Sequence, residues 1–413
     1  MSNETDDPER PTRRDYLTYG GAVIGSGLLA GCTGSSGTGS GSEPTETSTE
    51  APTETPTGTP TDDPTSTPTE EATTTSGGSY TVTMAPVGEV EFESVPETWE
   101  SYFPGYADMG VALGQADGLT AVGVTSRYHT GYYDELDGVS VEKDDVTQLY
   151  DEGIDKEIYY ELDNDVHLTD PQWLINNSFF GLEESDVEEL TGNVAPFVGN
   201  TIFRRTDPWH TYRYYTMYEA FGKVAQVFGR EEQYAAFESF HGDYIARVQA
   251  NLPSADARPS GLLCFAGSNE PEKFSPYRLT DKGTNKKHFH DLGVSDALAG
   301  TGIEGLSTDD RGQIDYETML EIDPETLFVR GHEEKSREEF EDTVLAFMKE
   351  HGVASALTAV QNDAVYRGGP IYQGPIQNLF LTERFATLLF PEAYSKEELF
   401  DRGRVSEIVD GNL

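Results

Sequence analysis

Two cysteines, Cys32 and Cys264, are all that this chain of 413 residues contains. Cys32 closes the run Leu29-Ala30-Gly31-Cys32 near the N-terminus and is expected to carry lipid, so no internal disulfide is expected. Cys264 sits in the apolar run Gly261-Leu262-Leu263-Cys264-Phe265-Ala266, where a free thiol packs as a small hydrophobe. Cations are scarce too: 28 Lys and Arg face 74 Asp and Glu, a formal net charge of −46. Such a surface repels nucleic acid and anionic lipid headgroups and argues against both as partners. The acids spread along the whole chain after the tether, and Lys numbers 10 against 18 Arg. That is the pattern of a hydrated, halophilic surface rather than of one cation-binding tract. A third absence lies between Thr33 and Ser79, which hold no Val, Ile, Leu, Met, Phe or Trp. This stretch of Thr, Pro, Glu, Ser and Gly cannot offset the entropy of ordering. What remains, from about Tyr80 onward, is over 300 residues, enough for two lobes with their own cores.

The N-terminus carries paired arginines, Arg13-Arg14, ahead of a mildly apolar run that ends Leu29-Ala30-Gly31-Cys32. The run is too short to span a bilayer, which needs roughly 20 residues. It resembles a twin-arginine export signal followed by a lipobox, with Cys32 carrying the lipid. Residues 1–31 are therefore expected to be the signal peptide and 32–79 a lipidated, flexible tether. The implied location is the extracellular face of the cell membrane. Gly20, Gly21, Gly25 and Gly27 do not make a phosphate loop, because no strand precedes them.

Beyond the tether the sequence repeats itself at an offset of 160. Ile154-Asp155-Lys156-Glu157 and Glu161-Leu162-Asp163 match Ile314-Asp315-Tyr316-Glu317 and Glu321-Ile322-Asp323. Each copy reads as a short helix, a turn and a buried strand. Leu136-Asp137-Gly138-Val139-Ser140 and Asp291-Leu292-Gly293-Val294-Ser295 share a phrase upstream. A repeat this long implies two similar α/β lobes rather than a solenoid. Between them, Asp207 and Pro208 read as the start of a helix running to Gly229, with a second helix from Glu231 to about Leu252. The expected division is 80–206 as first lobe, 207–252 as connecting helices, 253–394 as second lobe and 395–413 as an acidic tail.

This order resembles the solute-binding proteins of ABC importers for ferric siderophores, haem and cobalamin, across about Leu119 to Tyr394. The likeness rests on the strand Leu119-Thr120-Ala121-Val122-Gly123-Val124, the repeated Glu-x₃-Glu-[Leu/Ile]-Asp phrases, the long helix and the run Leu357–Tyr366. Asn164-Asp165 departs from the family's Pro-Asp, whereas Pro324-Glu325 keeps the proline. The resemblance implies a two-lobed α/β fold with a backbone helix and a ligand cleft between the lobes. It further implies permease and ATPase subunits as partners, a monomer, and no catalytic residues. Any iron or cobalt would belong to the ligand; no cofactor or resident metal is implied.

In open α/β lobes, ligands bind outside the carboxyl ends of the strands. Residues following the predicted strands are Arg127, Tyr128, His129 and Trp173 in the first lobe. In the second they are Tyr277, Arg278, Arg330, His332, Arg367 and Tyr372. Arginine pairs bidentately with anionic groups and aromatic faces supply apolar area, a combination suited to a large, partly anionic chelate. Two alternatives stand beside this reading. A bare metal ion could use His129, His167, His332 and Tyr128, although the only tight histidine pair is His288 with His290. A cell-surface enzyme would need a nucleophile motif, and no Gly-x-Ser-x-Gly is present.

Overall fold

The computed structural model describes residues 73–74, 78–305, 312–394 and 398–413. Arg13, Arg14, Cys32 and nearly all of the tether lie outside the described residues. Among the described residues, no helix is long and apolar enough to cross a membrane.

From Tyr80 the chain forms a hairpin, β1 (Tyr80–Met84) and β2 (Gly88–Phe92), in register Tyr80 with Phe92, and the pair Thr73–Thr74 adds antiparallel to the free edge of β1. Alternation puts Val82, Met84, Val90 and Phe92 inward, against the connecting helices. The first lobe is a parallel sheet of β3 (Trp99–Ser101), β4 (Leu119–Val122), β5 (Thr147–Gln148) and β6 (Val166–His167), in the order β5-β4-β3-β6. Helix α1 (Pro104–Ala112) follows β3 and is buried along its whole length. Such a helix belongs to an interior, and α1 is sandwiched between the two lobes. Helix α2 (Glu157–Leu162) precedes β6.

The connection differs from the sequence expectation. Helix α3 runs Met217–Phe228, and residues 207–216 are not helical. Asp207 pairs with the neighbouring Arg204 guanidinium, at 2.7 and 2.6 Å, and starts no helix. Thr216 caps instead, through a reciprocal capping box with Glu219, and Gly229 ends the helix in the left-handed region. Helix α4 (Glu231–Ala250) has 20 residues, roughly 30 Å at 1.5 Å per residue, and is the long rod between the lobes.

The second lobe holds β7 (Ser260–Phe265), β8 (Ser275–Tyr277), β9 (Ser295–Asp296), β10 (Thr326–Arg330) and β11 (Val365–Arg367). The order is β9-β7-β10-β11, all parallel, with β8 antiparallel on β7. Cys264 is buried in β7, its thiol directed at the Phe328 carbonyl 3.7 Å away, and burial pushes its pKa up. Helix α5 (Tyr316–Ile322) precedes β10, and α6 (Pro375–Leu389) closes the lobe.

The repeat at offset 160 is visible in the backbone. Helices α2 and α5 both end on an aspartate in the left-handed region, Asp163 (φ 46°) and Asp323 (φ 42°). Exposure along 157–165 repeats position for position along 317–325. The residue just before each strand, Asp165 or Glu325, sends its carboxylate to the backbone at the head of the neighbouring strand. Asp165 accepts from the Glu97 and Thr98 amides at 2.8 and 2.9 Å; Glu325 accepts from the Ser260 amide at 2.7 Å. The Asn164-Asp165 departure therefore leaves this restraint unchanged.

The lobes are locked together at α1. Buried Asp108 accepts from the Ile376 and Gln377 amides at 2.9 and 3.2 Å and from the Tyr133 hydroxyl at 2.9 Å. A first-lobe carboxylate thus caps the first turn of a second-lobe helix, which has no side-chain cap of its own. The expected acidic tail is a docked element: α7 (Arg402–Val409) buries Val405, Ile408 and Val409, with Phe400 just ahead of it. Apolar residues at helical spacing outweighed the acidic composition there.

Candidate ligand-binding site

The carboxyl ends of both sheets face each other across α1 and α6. From the first lobe come Tyr102 and Phe103 after β3, Arg127 in the turn after β4, and Trp173 in a short helix after β6. From the second come Tyr277 at the end of β8, Arg330 at the end of β10, and Tyr372 after β11. Tyr372 packs on Phe103 and Phe203, with ring centres 5.4 and 4.9 Å apart. Trp173 packs on the same two rings at 5.5 and 5.2 Å, and its indole nitrogen is buried without a hydrogen-bond partner in the protein.

Cations surround this aromatic wall. The Arg204 guanidinium lies over Trp173 and Phe203, 5.2 Å from each ring, and pairs with Asp207. Fully buried Arg330 lies 4.9 Å over Tyr277 and bonds to the Asn285 and Gly368 carbonyls, leaving Nη1 without a protein partner. Exposed Arg127 acts on the Tyr372, Tyr102 and Tyr277 hydroxyls. Lys286 is buried beside them. Burial pushes its ammonium down to about 7 from 10.5; Asp281 opposes this, while Arg330 and Arg204 add to it. Three arginines, Arg127, Arg204 and Arg330, therefore act on these phenols, with Lys286 beside Arg204 and Arg330 and with Asp207, Asp281, Asp296 and Glu333 as the carboxylates that act on the four cations. In a chain with 28 cations against 74 acids, arginines gathered over aromatic rings can pair with an anionic group.

The structure brings together Arg127, Trp173, Tyr277, Arg330 and Tyr372 of the sequence-predicted set. Tyr128 is a correction: it is fully buried, with its hydroxyl 3.3 Å from that of Tyr133, and belongs to the first-lobe core. Arg278 turns aside to Asp296 and Glu304, at 3.9 and 3.8 Å. His332 is buried against Phe340, and desolvation lowers its pKa. His129 and Arg367 line a different space, a cavity of about 690 Å³. There His129 Nδ1 meets Glu334 at 3.0 Å, and Arg384 pairs with buried Glu333 at 2.9 Å. The cavity's cations Lys143, Arg337, Arg367 and Arg384 are outnumbered by its carboxylates Glu135, Glu333, Glu334, Glu341 and Glu383. That charge balance makes the arginine cluster the candidate for an anionic ligand.

Arg204 and Lys286 were missed because neither follows a strand. Their signal was the doubled cations Arg204-Arg205 and Lys286-Lys287 in a cation-poor chain. The histidine pair lies on a short helix, with His288 hydrogen-bonded to Gln373 at 3.1 Å and His290 to the Leu279 carbonyl. Among the described residues, no three His, Cys, Asp or Glu side chains gather as they would around a metal ion.

Two α/β lobes, a helical connector and a cationic site between the strand ends define a two-lobed binding protein. The family described as periplasmic binding protein matches residues 101–372, and the chain belongs to it. Among solved structures, CeuE of Helicobacter pylori with Ni(II) bound is similar at TM-score 0.53 and 13% identity, covering 81% of this chain and 96% of that one. A periplasmic binding protein of Veillonella parvula is similar at TM-score 0.53 and 13% identity, covering 77% and 99%. The iron-uptake ABC transporter substrate-binding protein PiuA of Streptococcus pneumoniae is similar at TM-score 0.50 and 17% identity, covering 75% and 98%. No curated protein matches the chain.

Proposed function

We propose that the chain is the ligand-capturing subunit of an ABC importer, exported and held by lipid on Cys32 at the outer face of the cell membrane. Its ligand is a large, partly anionic chelate, a ferric siderophore, haem or cobalamin-like molecule. The observation that carries this is the gathering of Arg127, Arg204 and Arg330 around Tyr102, Tyr277 and Tyr372, with Lys286 buried beside Arg204 and Arg330. The family match and the iron-uptake relative support it. The test is titration of the full chain, in molar KCl, with ferric siderophores, haem, cobalamin and bare metal ions, following fluorescence from Trp173 and Trp209. Binding of an anionic chelate is expected; a response to bare ions alone would overturn the reading.

Arg127 gives the clean variant, because it is exposed and supports no core. Arg127→Ala is expected to weaken binding about tenfold, the worth of one charge-assisted pair. Arg127→Lys should also lose affinity, since an ammonium cannot form the bidentate fork. Wild-type affinity in both would remove Arg127 from the site.

The permease face is read from the duplication. Five large hydrophobic side chains stand exposed among the described residues, and two of them, Tyr160 and Leu320, are 160 apart on α2 and α5. Exposed Glu157 and Glu161 flank one; exposed Glu317 and Glu321 flank the other. Two like patches, one per lobe, suit a membrane partner that presents two like basic faces. Joint replacement Glu157→Arg and Glu317→Arg is expected to cut uptake by cells about tenfold or more, while ligand affinity of the purified chain is unchanged. Undiminished uptake would place docking elsewhere.

A further inference from the structure

Residues 398–413 lie beyond the segment that matches the family and are absorbed by neither the site nor the docking face. Their contacts reach both lobes. On the second lobe, the Leu399 amide donates to Glu383 of α6 at 2.6 Å, and Arg402 Nη1 donates to the same carboxylate at 2.9 Å. The Arg402 guanidinium lies over Phe400 and Phe380, at 4.0 and 4.9 Å, and the two rings meet edge to face at 5.0 Å. On the rod α4, Phe400 packs against Tyr244 at 5.5 Å.

At its other end α7 meets the first lobe. The Gln233 side-chain amide, on the first turns of α4, faces three carbonyls: Val409 at 3.1 Å, Ile408 at 3.2 Å and Leu113 at 3.4 Å. Leu113 caps α1, so one amide gathers α1, α4 and α7. Gly114, at φ +68°, has no Cβ, and an added one would stand 2.6 Å from the Val409 carbonyl. Arg402 Nη2 also reaches Glu135 of the first lobe at 3.6 Å.

We propose that residues 398–413 form a strap, a second strut beside α4, that fixes the distance between the lobes and must slip for them to part. A single rod permits bending about its ends; two struts anchored on both lobes do not. The anchors differ chemically, a charged and aromatic clamp at one end and an amide bridge at the other. Loosening either should therefore give the same signature.

Backbone hydrogen exchange of the full chain in molar KCl, read by mass spectrometry, tests this on wild type, Arg402→Ala and Gln233→Leu. Thr284 donates to the Ile202 carbonyl and Ile376 to Asp108, so peptides containing them report lobe-to-lobe bonds. Those peptides are expected to exchange about tenfold faster in both variants, while peptides of β7 and β10 stay near wild type. Unchanged interlobe peptides would overturn the proposal. So would equal acceleration of β7 and β10, which would make α7 an ordinary piece of a common core.

Discussion

Replacing Asp108 by alanine is expected to cost about 3 kcal/mol of unfolding free energy at pH 5, because buried donors left unpaired cost about 1–3 kcal/mol each. The Ile376 and Gln377 amides and the Tyr133 hydroxyl all lose their acceptor, and the start of α6 loses its cap. The pH dependence distinguishes this from a simple cavity. Burial pushes the Asp108 carboxyl up to about 7 from 3.8, against the pull of the Tyr133 hydroxyl and the Gln377 and Ile376 amides. Between those values the native state holds a proton that the unfolded state has released. This group therefore stabilises the fold less as pH rises from 3.8 to about 7, by up to about 1.4 kcal/mol per unit. Asp108→Asn keeps an acceptor and never ionises. Its stability should match wild type near pH 5 and exceed it at pH 8. Urea unfolding in molar KCl at both pH values measures this, and identical pH slopes in wild type and Asn variant would sink it.

Salt should move stability even further. At a net charge of −46 the folded chain repels itself, and the Debye length falls from about 30 Å at 0.01 M to about 3 Å at 1 M. A gain of several kcal/mol between these limits would raise the melting temperature by about 5 °C for a chain of this size. Calorimetry in stepped KCl gives the answer, with choline chloride as a control for specific potassium binding. A flat melting temperature would show that the acidity serves something other than adaptation to high salt.

The lobes were legible because their signals are local. The phrases around Glu157 and Glu317 carry helix, turn and strand in one short stretch, and the structure places them alike. The start of the connector was misread because Asp207 and Pro208 form a good local cap signal. The competing claim of Arg204 on the same carboxylate comes from three residues upstream and leaves no periodic trace. Half of the candidate site was reachable from residues at or just past strand ends: Tyr277 and Arg330 close their strands, and Arg127 and Tyr372 follow theirs. Arg204 and Lys286 arrive on the segments 200–205 and 283–286, which dock on each other across the lobes through the Thr284 amide and the Ile202 carbonyl. No pattern in either segment alone announces that meeting. Helix α7 was hidden by the acids around it, although Val405, Ile408 and Val409 are spaced for a helix.

The carboxylates of Asp165 and Glu325 bear on how the two halves have drifted apart. Each grips main-chain amides, and every residue except proline supplies one at that place. Mutation at Glu97, Thr98 or Ser260 therefore leaves the donor intact, and only loss of the acid breaks the hold. Descent from one ancestral half can then erase nearly all shared letters while the geometry is inherited whole.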